Sequence, residues 1–202
     1  MVERIERSST NSVKYNQNAI GNLCGNPNAE PFWVADMDLA SPNAAKEALV
    51  ATAQLGLYGY PAFESLDQAF IDWVKMRHSC TLSKTNVVVS PGILTSIAVM
   101  TELLPERDVI IPRPAYKPFV DIAKSHGRKI HDWPLPYDKE NGLFTLDFEA
   151  LENIASEPGE KILYFCSPHN PSGRVWNREE LEKTAEICAE HGIVVFSDEI
   201  HC

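Results

Sequence analysis

Short apolar segments alternate with amphipathic helical segments from residue 86 to residue 196. Continuous runs rich in β-branched residues predict strands at 87–89, 108–111, 129–135, 162–166 and 193–196. Strands without an alternation of polar and apolar residues are typical of parallel sheets with both faces buried. The intervening segments have the apolar stripe that covering helices need. The sequence therefore predicts an α/β fold with a mostly parallel sheet and helices on both faces.

Capping side chains mark where several of the predicted helices begin. Asn177 with Glu180, and Ser65 with Gln68, have the spacing of a capping box. Asp147 stands directly before another apolar helical segment. We therefore expect helices to begin directly after Ser65, Asp147 and Asn177.

The first 40 residues differ in character from the rest of the chain. They have no clear periodicity and are rich in Asn and Pro. We expect 1–40 to form an extended arm that packs on another element, and 41–202 to form the main α/β domain.

Composition and charge exclude some classes of partner. The chain has 202 residues with 28 acidic and 18 basic side chains, a net charge of −10, which disfavours nucleic acid and anionic membranes. No apolar run approaches transmembrane length, and the start has no apolar segment typical of a signal peptide. The five cysteines have no Cys-x-x-Cys spacing, which favours free thiols in a reducing compartment. We therefore expect a cytoplasmic protein.

Distinctive clusters follow four of the predicted strands, at 90–94, 114–116, 167–174 and 197–202. In parallel α/β sheets, ligands bind beyond the carboxyl ends of the strands. The clusters therefore predict a ligand site at that edge of the sheet.

The cluster at 90–94, Ser-Pro-Gly-Ile-Leu, joins a predicted strand to a predicted helix. The first N–H groups of a helix have no internal partner and can bind a phosphate. A glycine lets the backbone approach such an anion closely. The same residues are also compatible with an ordinary strand-to-helix turn.

Two further clusters carry side chains that suit a planar ligand. Tyr116 can lay its ring on an aromatic ligand, or it can be a half-buried tyrosine at a helix start. In the stretch 167–174, two prolines and a glycine predict a rigid loop. Such a loop can present Asn170 as a hydrogen-bond donor to a ligand oxygen.

Asp198 follows the last predicted strand, where a buried carboxylate needs a partner. A protonated pyridine nitrogen is such a partner, and the ion pair would keep the ring electron-withdrawing. Alternatively, Asp198 caps a following helix, or Glu199 is the functional residue.

A metal site is a further interpretation of the strand ends. Cys166, His169, His201 and Cys202 could supply four ligands, but their spacing fits no zinc motif. A dinucleotide site is disfavoured because no Gly-x-Gly-x-x-Gly follows a strand.

Taken in order, the motifs resemble those of fold-type I pyridoxal-phosphate-dependent enzymes of the aminotransferase class I/II group. The motifs are Ser-Pro-Gly at 90–92, Pro-Ala-Tyr at 114–116, Ser-Pro-His-Asn-Pro-Ser-Gly-Arg-Val-Trp at 167–176 and Ser-Asp-Glu-Ile-His at 197–201. Pro-Phe-Trp-Val-Ala-Asp-Met-Asp at 31–38 and Gly-Tyr at 59–60 are similar to the MalY/PatB-type cystathionine β-lyases, which are C–S lyases within that group. The resemblance extends from about residue 12 to residue 202.

The resemblance implies pyridoxal 5′-phosphate as the cofactor and assigns a role to each cluster. The N–H groups of Ile93 and Leu94 would hold the phosphate, and Tyr116 would stack on the pyridine ring. Asn170 would hydrogen-bond the ring hydroxyl oxygen, and Asp198 would pair with the pyridine nitrogen.

Four more residues receive roles from the same resemblance. His201 would lie close to the ring-hydroxyl edge, and Tyr60 would reach the phosphate in the neighbouring subunit of a homodimer. Trp33 and Asp36 would line the substrate side. Residues 1–40 would then belong to the small domain of such an enzyme.

The lysine that forms the Schiff base in this group follows the Ser-Asp-Glu motif, and no lysine follows Asp198 here. Lys84 lies in a similar Ser-Lys-Thr sequence but precedes the first predicted strand, so we interpret it as a solvated loop residue. The resemblance therefore predicts no catalytic residue in this chain. It also implies an N-terminal half, truncated before the last strands of the sheet.

Three functions remain compatible with this pattern. The first is the N-terminal portion of a pyridoxal-phosphate-dependent C–S β-lyase acting on sulfur amino acids. The second is an aminotransferase of class I/II, because both reactions use the same cofactor pocket. The third is an inactive remnant, or an interaction module that lacks the Schiff-base lysine.

Overall fold

A computed structural model of the protein describes residues 4–60, 62 and 64–202. The chain divides into two compact units, Met1–Ala62 and Phe63–Cys202. The functional division at residues 40 and 41 stays a prediction, because compactness does not reveal which domain of an enzyme a segment serves.

The described part of the first unit, residues 4–60 and 62, contains two α-helices and one short 3-10 turn. Their bounds are Val13–Tyr15 for the 3-10 turn, Gln17–Cys24 for α1 and Asn43–Leu55 for α2. The side chain of Asn16 caps α1 by accepting a hydrogen bond from the N–H of Ala19. The expectation of an extended arm is wrong for 17–24, where this local cap starts a helix that the composition of the segment did not indicate.

The second unit contains most of the regular structure. Its helices are α3 (Glu64–His78), a 3-10 turn (Lys84–Asn86), α4 (Ile93–Leu103), α5 (Lys117–Ser125), α6 (Phe148–Ser156) and α7 (Arg178–Glu190). Its strands are β1 (Asp108–Arg113), β2 (Ile130–Pro134), β3 (Tyr137–Asp138), β4 (Leu143–Phe144), β5 (Lys161–Cys166) and β6 (Val194–Asp198).

The main sheet has four strands in the order β2-β1-β5-β6, and every pairing in it is parallel. Strands β3 and β4 form a separate antiparallel hairpin. Every residue of the interior strand β5 is buried, as a strand with both faces covered requires. The predicted α/β class with a mostly parallel sheet is confirmed.

Helices cover both faces of this sheet. One hydrophobic cluster contains Ile110 and Leu163 from the strands, together with side chains of α6 and α7. The other contains Val109 and Ile162, together with side chains of α4 and α5. Neighbouring residues of β1 and β5 thus point to opposite sides, and each side packs on its own helix pair.

Two of the three predicted helix caps are confirmed. Asp147 accepts a hydrogen bond from the third residue of α6, and Asn177 with Glu180 forms a capping box at the start of α7. The cap predicted at Ser65 is wrong, because α3 begins at Glu64, two residues before the predicted start, and already includes Ser65. Ser65 therefore lies inside the first turn, where its side chain is not in the N-cap position.

The first predicted strand, 87–89, is also wrong. These residues follow the 3-10 turn without forming a strand, and the side chain of Val88 is exposed. A strand needs a hydrogen-bonded neighbour, and no strand pairs with 87–89 among the residues that the structure describes.

Candidate functional site

The carboxyl ends of β5 and β6 lie side by side, with Cys166 opposite Asp198. The N–H of Ser167 donates to the carbonyl oxygen of Asp198 at 3.0 Å, so the loop after β5 starts at the end of β6. The Asp198 residue is 6% exposed, and its carboxylate accepts a hydrogen bond from the N–H of Ile200 at 3.0 Å. Within the described residues it has no ion-pair partner. A buried carboxylate in this position suits a cationic ligand.

Helix α4 begins at the same end of the sheet. Gly92 occupies its N-cap with φ 154° and ψ 155°, a conformation that is essentially restricted to glycine. The carbonyl oxygen of Gly92 accepts the N–H of Ser96 at 3.0 Å, which closes the first turn of α4. The N–H groups of Ile93 and Leu94 precede that bond, so they have no partner within the helix.

A cavity of about 230 Å³ brings the start of α4 and the end of β6 together. It is lined by Ile93, Ser96, Ile97, Met100, Phe196, Ser197 and Asp198. The predicted phosphate end and the predicted ring-nitrogen partner therefore share one concave surface. Leu94 does not line the cavity and lies half-exposed beside Ile93.

Tyr116 is connected to this cavity through a row of aromatic rings. It occupies the N-cap of α5, is 38% exposed and contacts Phe119 edge-on at 5.8 Å between ring centroids. Phe119 meets Tyr164 edge-on at 5.8 Å, and Tyr164 stacks on Phe196 at 5.7 Å. Because Phe196 lines the cavity, the row links Tyr116 to the wall of the site.

The loop after β5 carries Asn170, whose side-chain amide makes no hydrogen bond within the described residues. The neighbouring residue His169 is buried and contacts Ser172. Asn170 can therefore offer its amide to a ligand without breaking an internal contact.

The four remaining predicted residues are His201 in the second unit and Trp33, Asp36 and Tyr60 in the first unit. His201 is exposed and is not among the residues that line the cavity. Tyr60, at 106% relative exposure, is fully open to solvent. Trp33 and Asp36 belong to the first unit together with Tyr60.

Asp36 is held by a local ion pair in the first unit. Arg7 binds its carboxylate at 2.6 Å, and Ser12 donates to the same oxygen at 3.4 Å. The hydrogen bond from the Arg7 guanidinium lowers the pKa of Asp36 below its ordinary value. The indole N–H of Trp33 donates to the carbonyl oxygen of Lys14 at 3.1 Å.

The proposed metal ligands of the strand ends do not form a compact set. In the part of the chain that the structure describes, the close group of possible ligands is Glu152, Glu190 and His191, which belong to α6 and the end of α7. Burial raises the pKa of the Cys166 thiol, which donates to the carbonyl oxygen of Pro168 at 3.1 Å. A protonated thiol in an internal hydrogen bond is a poor metal ligand.

One buried pair was not recognised from the sequence. The hydroxyl oxygens of Thr101 on α4 and Tyr164 on β5 lie 2.5 Å apart, and both residues are fully buried. Tyr164 also belongs to the aromatic row, so it contacts the elements that carry Ile93, Tyr116 and Asp198. Its position in an apolar strand indicated burial, but the partner of its hydroxyl is decided by the packing of α4.

The sheet, the helix start and the buried carboxylate define an α/β domain with a candidate ligand site at the carboxyl ends of parallel strands. The family model described as aminotransferase class I and II matches residues 34–202. The chain therefore belongs to the aminotransferase class I and II family.

Similar proteins include C–S lyases. The chain is 40% identical to cystathionine beta-lyase PatB of Bacillus subtilis (strain 168), over 98% of this chain and 51% of that protein. It is 31% identical to protein MalY of Escherichia coli (strain K12), over 85% of this chain and 44% of that protein. The chain thus spans about half the length of the curated relatives it matches.

Solved structures have the same fold. The crystal structure of cystalysin from Treponema denticola, which contains pyridoxal 5′-phosphate, is similar with a TM-score of 0.87 and 30% identity, over 98% of this chain and 50% of that one. The pyridoxal-phosphate-bound C–S lyase from Staphylococcus hominis has a TM-score of 0.86 and 28% identity, over 98% and 50%. None of the described helices combines the length and apolarity needed to cross a membrane.

Proposed function

We propose that this chain is the N-terminal portion of a pyridoxal-phosphate-dependent C–S β-lyase acting on sulfur amino acids such as cystathionine. The observation that supports it most is the shared cavity between the start of α4 and the buried carboxylate of Asp198. The proposal places the enzyme in the cytoplasm, consistent with the free cysteines.

The start of α4 suits the cofactor phosphate. The N–H groups of Ile93 and Leu94 point out of the helix start, where the helix dipole favours an anion. Gly92 adds no side chain, and a Cβ atom at this position would meet no heavy atom within 4 Å. The backbone is thus open to a phosphate, while its φ of 154° resists replacement by other residues.

The end of β6 suits the pyridine nitrogen. Asp198 is buried without a cationic partner in the described chain, so a ring N–H⁺ would supply the missing charge. Bound pyridoxal phosphate supplies an electron-withdrawing ring next to the substrate α-carbon. Asp198 holds the proton on the ring nitrogen, Asn170 donates to the ring hydroxyl oxygen, and Tyr116 covers one face of the ring. His201, which follows Asp198 by three residues and is exposed, would lie close to the ring-hydroxyl edge.

The complete enzyme needs groups that this chain does not carry. In the proposed enzyme, the lysine that bonds the cofactor and the group that binds the substrate carboxylate would be supplied by polypeptide outside these 202 residues. We propose a homodimer in which Tyr60 reaches the phosphate of the neighbouring subunit, a role for which its full exposure leaves it free. Trp33 and Asp36 line the substrate side, and residues 1–40 belong to the small domain.

The net reaction of a lyase on cystathionine consumes one water molecule, releases a thiol from the β-carbon and leaves pyruvate and ammonia. The family assignment also supports an aminotransferase as the second candidate. The two differ in the fate of the amino group, which the cofactor pocket does not determine. Supplying the lysine-bearing remainder of the polypeptide and measuring pyruvate release against transfer to a 2-oxo acid distinguishes them.

Cofactor binding by the chain itself tests the proposed site. We expect pyridoxal phosphate to bind noncovalently and weakly, without a borohydride-fixed adduct at a single lysine. Asp198→Asn removes the charge that meets the ring nitrogen, and we expect its affinity to fall by about tenfold or more. Glu199→Gln is the matched control, because its exposed carboxylate contacts only Ser197 among the described residues.

Two results would contradict this assignment. Equal losses of affinity in Asp198→Asn and Glu199→Gln would show that Asp198 has no specific role in binding. A stoichiometric borohydride-fixed adduct at one lysine would show that the chain already contains its own cofactor-bonding residue.

A further inference from the structure

The loop that carries Asn170 folds back on itself. The N–H of His169 donates to the carbonyl oxygen of Arg174 at 2.7 Å, and the N–H of Gly173 donates to the carbonyl oxygen of His169 at 2.7 Å. Gly173 has φ 71°, in the left-handed region that favours glycine. The backbone on both sides of Asn170 is therefore closed by short hydrogen bonds.

A side-chain contact fills the inside of this turn. The Nδ1 atom of His169 lies 2.7 Å from the Oγ atom of Ser172, and the N–H of Arg174 donates to the same Oγ at 3.3 Å. Because this Oγ atom accepts from Arg174, its own hydroxyl proton is available for His169. Such a bond requires a neutral ring with an unprotonated Nδ1.

The surroundings of His169 keep its ring neutral. The residue is 4% exposed, and burial lowers the pKa of His169 to about 4. Its ring contacts Trp176 at 5.6 Å between centroids. The indole N–H of Trp176 donates to the carbonyl oxygen of Cys166 at 3.0 Å, which fixes the turn to the end of β5.

We propose that His169 and Ser172 are positioning residues that hold the amide of Asn170 for its ligand. The pair, with its backbone hydrogen bonds, is called the loop clamp below. Asn170 lies inside the clamped turn, and its amide makes no hydrogen bond within the described residues. Because the backbone is already fixed before the ligand binds, binding does not have to pay the conformational entropy of ordering this loop. The identity of the ligand rests on the proposed function, whereas the clamp is a property of the loop.

Hydrogen exchange of the full chain, without any ligand, tests the clamp. Ser172→Ala removes the hydroxyl, and Ser172→Thr keeps it. A hydrogen bond between neutral groups contributes about tenfold to a local opening equilibrium. We therefore expect the amides of His169 and Gly173 to exchange about tenfold faster in Ser172→Ala and close to the wild-type rate in Ser172→Thr. Unchanged exchange in Ser172→Ala would overturn the clamp, whatever the chain binds.

Binding of two probes tests the role of the clamp for Asn170. The probes are pyridoxal 5′-phosphate and its analogue without the ring hydroxyl, measured with the wild type, Ser172→Ala and Ser172→Thr. We expect Ser172→Ala to weaken pyridoxal phosphate severalfold, to leave the analogue within twofold, and to have no further effect when combined with Asn170→Ala. Equal weakening of both probes would show a general disturbance and overturn the positioning role.

The two experiments separate this proposal from the proposed function. If the wild type binds neither probe but Ser172→Ala still accelerates exchange, the cofactor assignment fails and the clamp stands. If the probes bind and exchange does not respond, the cofactor assignment stands and the clamp fails.

Discussion

Removing the phenol oxygen of Tyr164 is expected to destabilise the second unit through one identifiable contact. Thr101 donates its hydroxyl proton to the carbonyl oxygen of Ile97 at 2.7 Å. The Tyr164 hydroxyl, 2.5 Å from the Thr101 hydroxyl oxygen, must therefore be the donor of that second bond. Burial raises the pKa of the Tyr164 phenol, so it keeps its proton. The pair ties α4 to β5 below the candidate site.

The size of the effect follows from what each substitution leaves behind. Tyr164→Phe keeps the rings that pack on Phe119 and Phe196 but removes one hydrogen bond, which costs about 1 kcal/mol. Thr101→Val leaves the buried phenol without an acceptor, which costs about 1–3 kcal/mol. The double variant replaces both partners, so we expect a coupling of about 1 kcal/mol rather than additive losses.

Urea denaturation followed by circular dichroism and tryptophan fluorescence measures these free energies of unfolding. Tyr137→Phe is the matched control, because Tyr137 is half-exposed and its hydroxyl makes no hydrogen bond among the described residues. We expect that control to lie within about 0.5 kcal/mol of the wild type. Additive effects of Tyr164→Phe and Thr101→Val, or a loss in Tyr137→Phe equal to that in Tyr164→Phe, would refute the reasoning.

Three further predictions concern pH, the start of α4 and a helix cap. The pKa of His169 is lowered from 6.5 to about 4 in the folded chain, so the unfolded chain binds the proton more tightly. The stability that neutral His169 contributes is therefore complete above pH 6.5 and is lost as the pH falls toward 4. The loss amounts to about 3 kcal/mol of unfolding free energy, and we expect the His169→Asn variant not to show this pH-dependent loss. Identical pH profiles of stability for the wild type and His169→Asn would contradict this. Gly92→Ala should cost about 1–3 kcal/mol in a urea titration, because alanine is strained at φ 154°, and it should also weaken phosphate binding; a neutral result would refute the strain. Asn177→Ala should cost about 1 kcal/mol by thermal denaturation through loss of the α7 cap, whereas Asn177→Asp should keep most of the stability.

Local chemistry explains why much of the fold was predictable. Asp147 and Asn177 cap the helices that follow them because their oxygens reach N–H groups only three residues away. The strands β1, β2, β5 and β6 all overlap their predicted segments, because continuous apolar runs bounded by turn residues are a local signal.

The two main failures have different physical causes. Residues 87–89 have the composition of a strand, but a strand exists only beside another strand, which the local sequence does not supply. Asn16 caps α1 through the N–H of Ala19, the same three-residue spacing as at Asp147 and Asn177, but the composition of its segment pointed to an extended arm instead. Predictions failed where the outcome depended on a single contact or on a distant partner.

The amino-acid sequence by itself determined the fold class, the helix caps at Asp147 and Asn177, and the position of Tyr116, Asn170 and Asp198 at the ends of strands. These depend on periodicity and on groups within a few residues of one another. Only the tertiary structure decided that Asp198 and Ile93 share a cavity, that Thr101 meets Tyr164 and that His169 is buried against Trp176. The first two contacts join segments of the chain that come together only when the helices pack on the sheet, and side-chain packing across such distances has no local pattern in the sequence. His169 and Trp176 are only seven residues apart, but their rings meet because the loop after β5 folds back on itself.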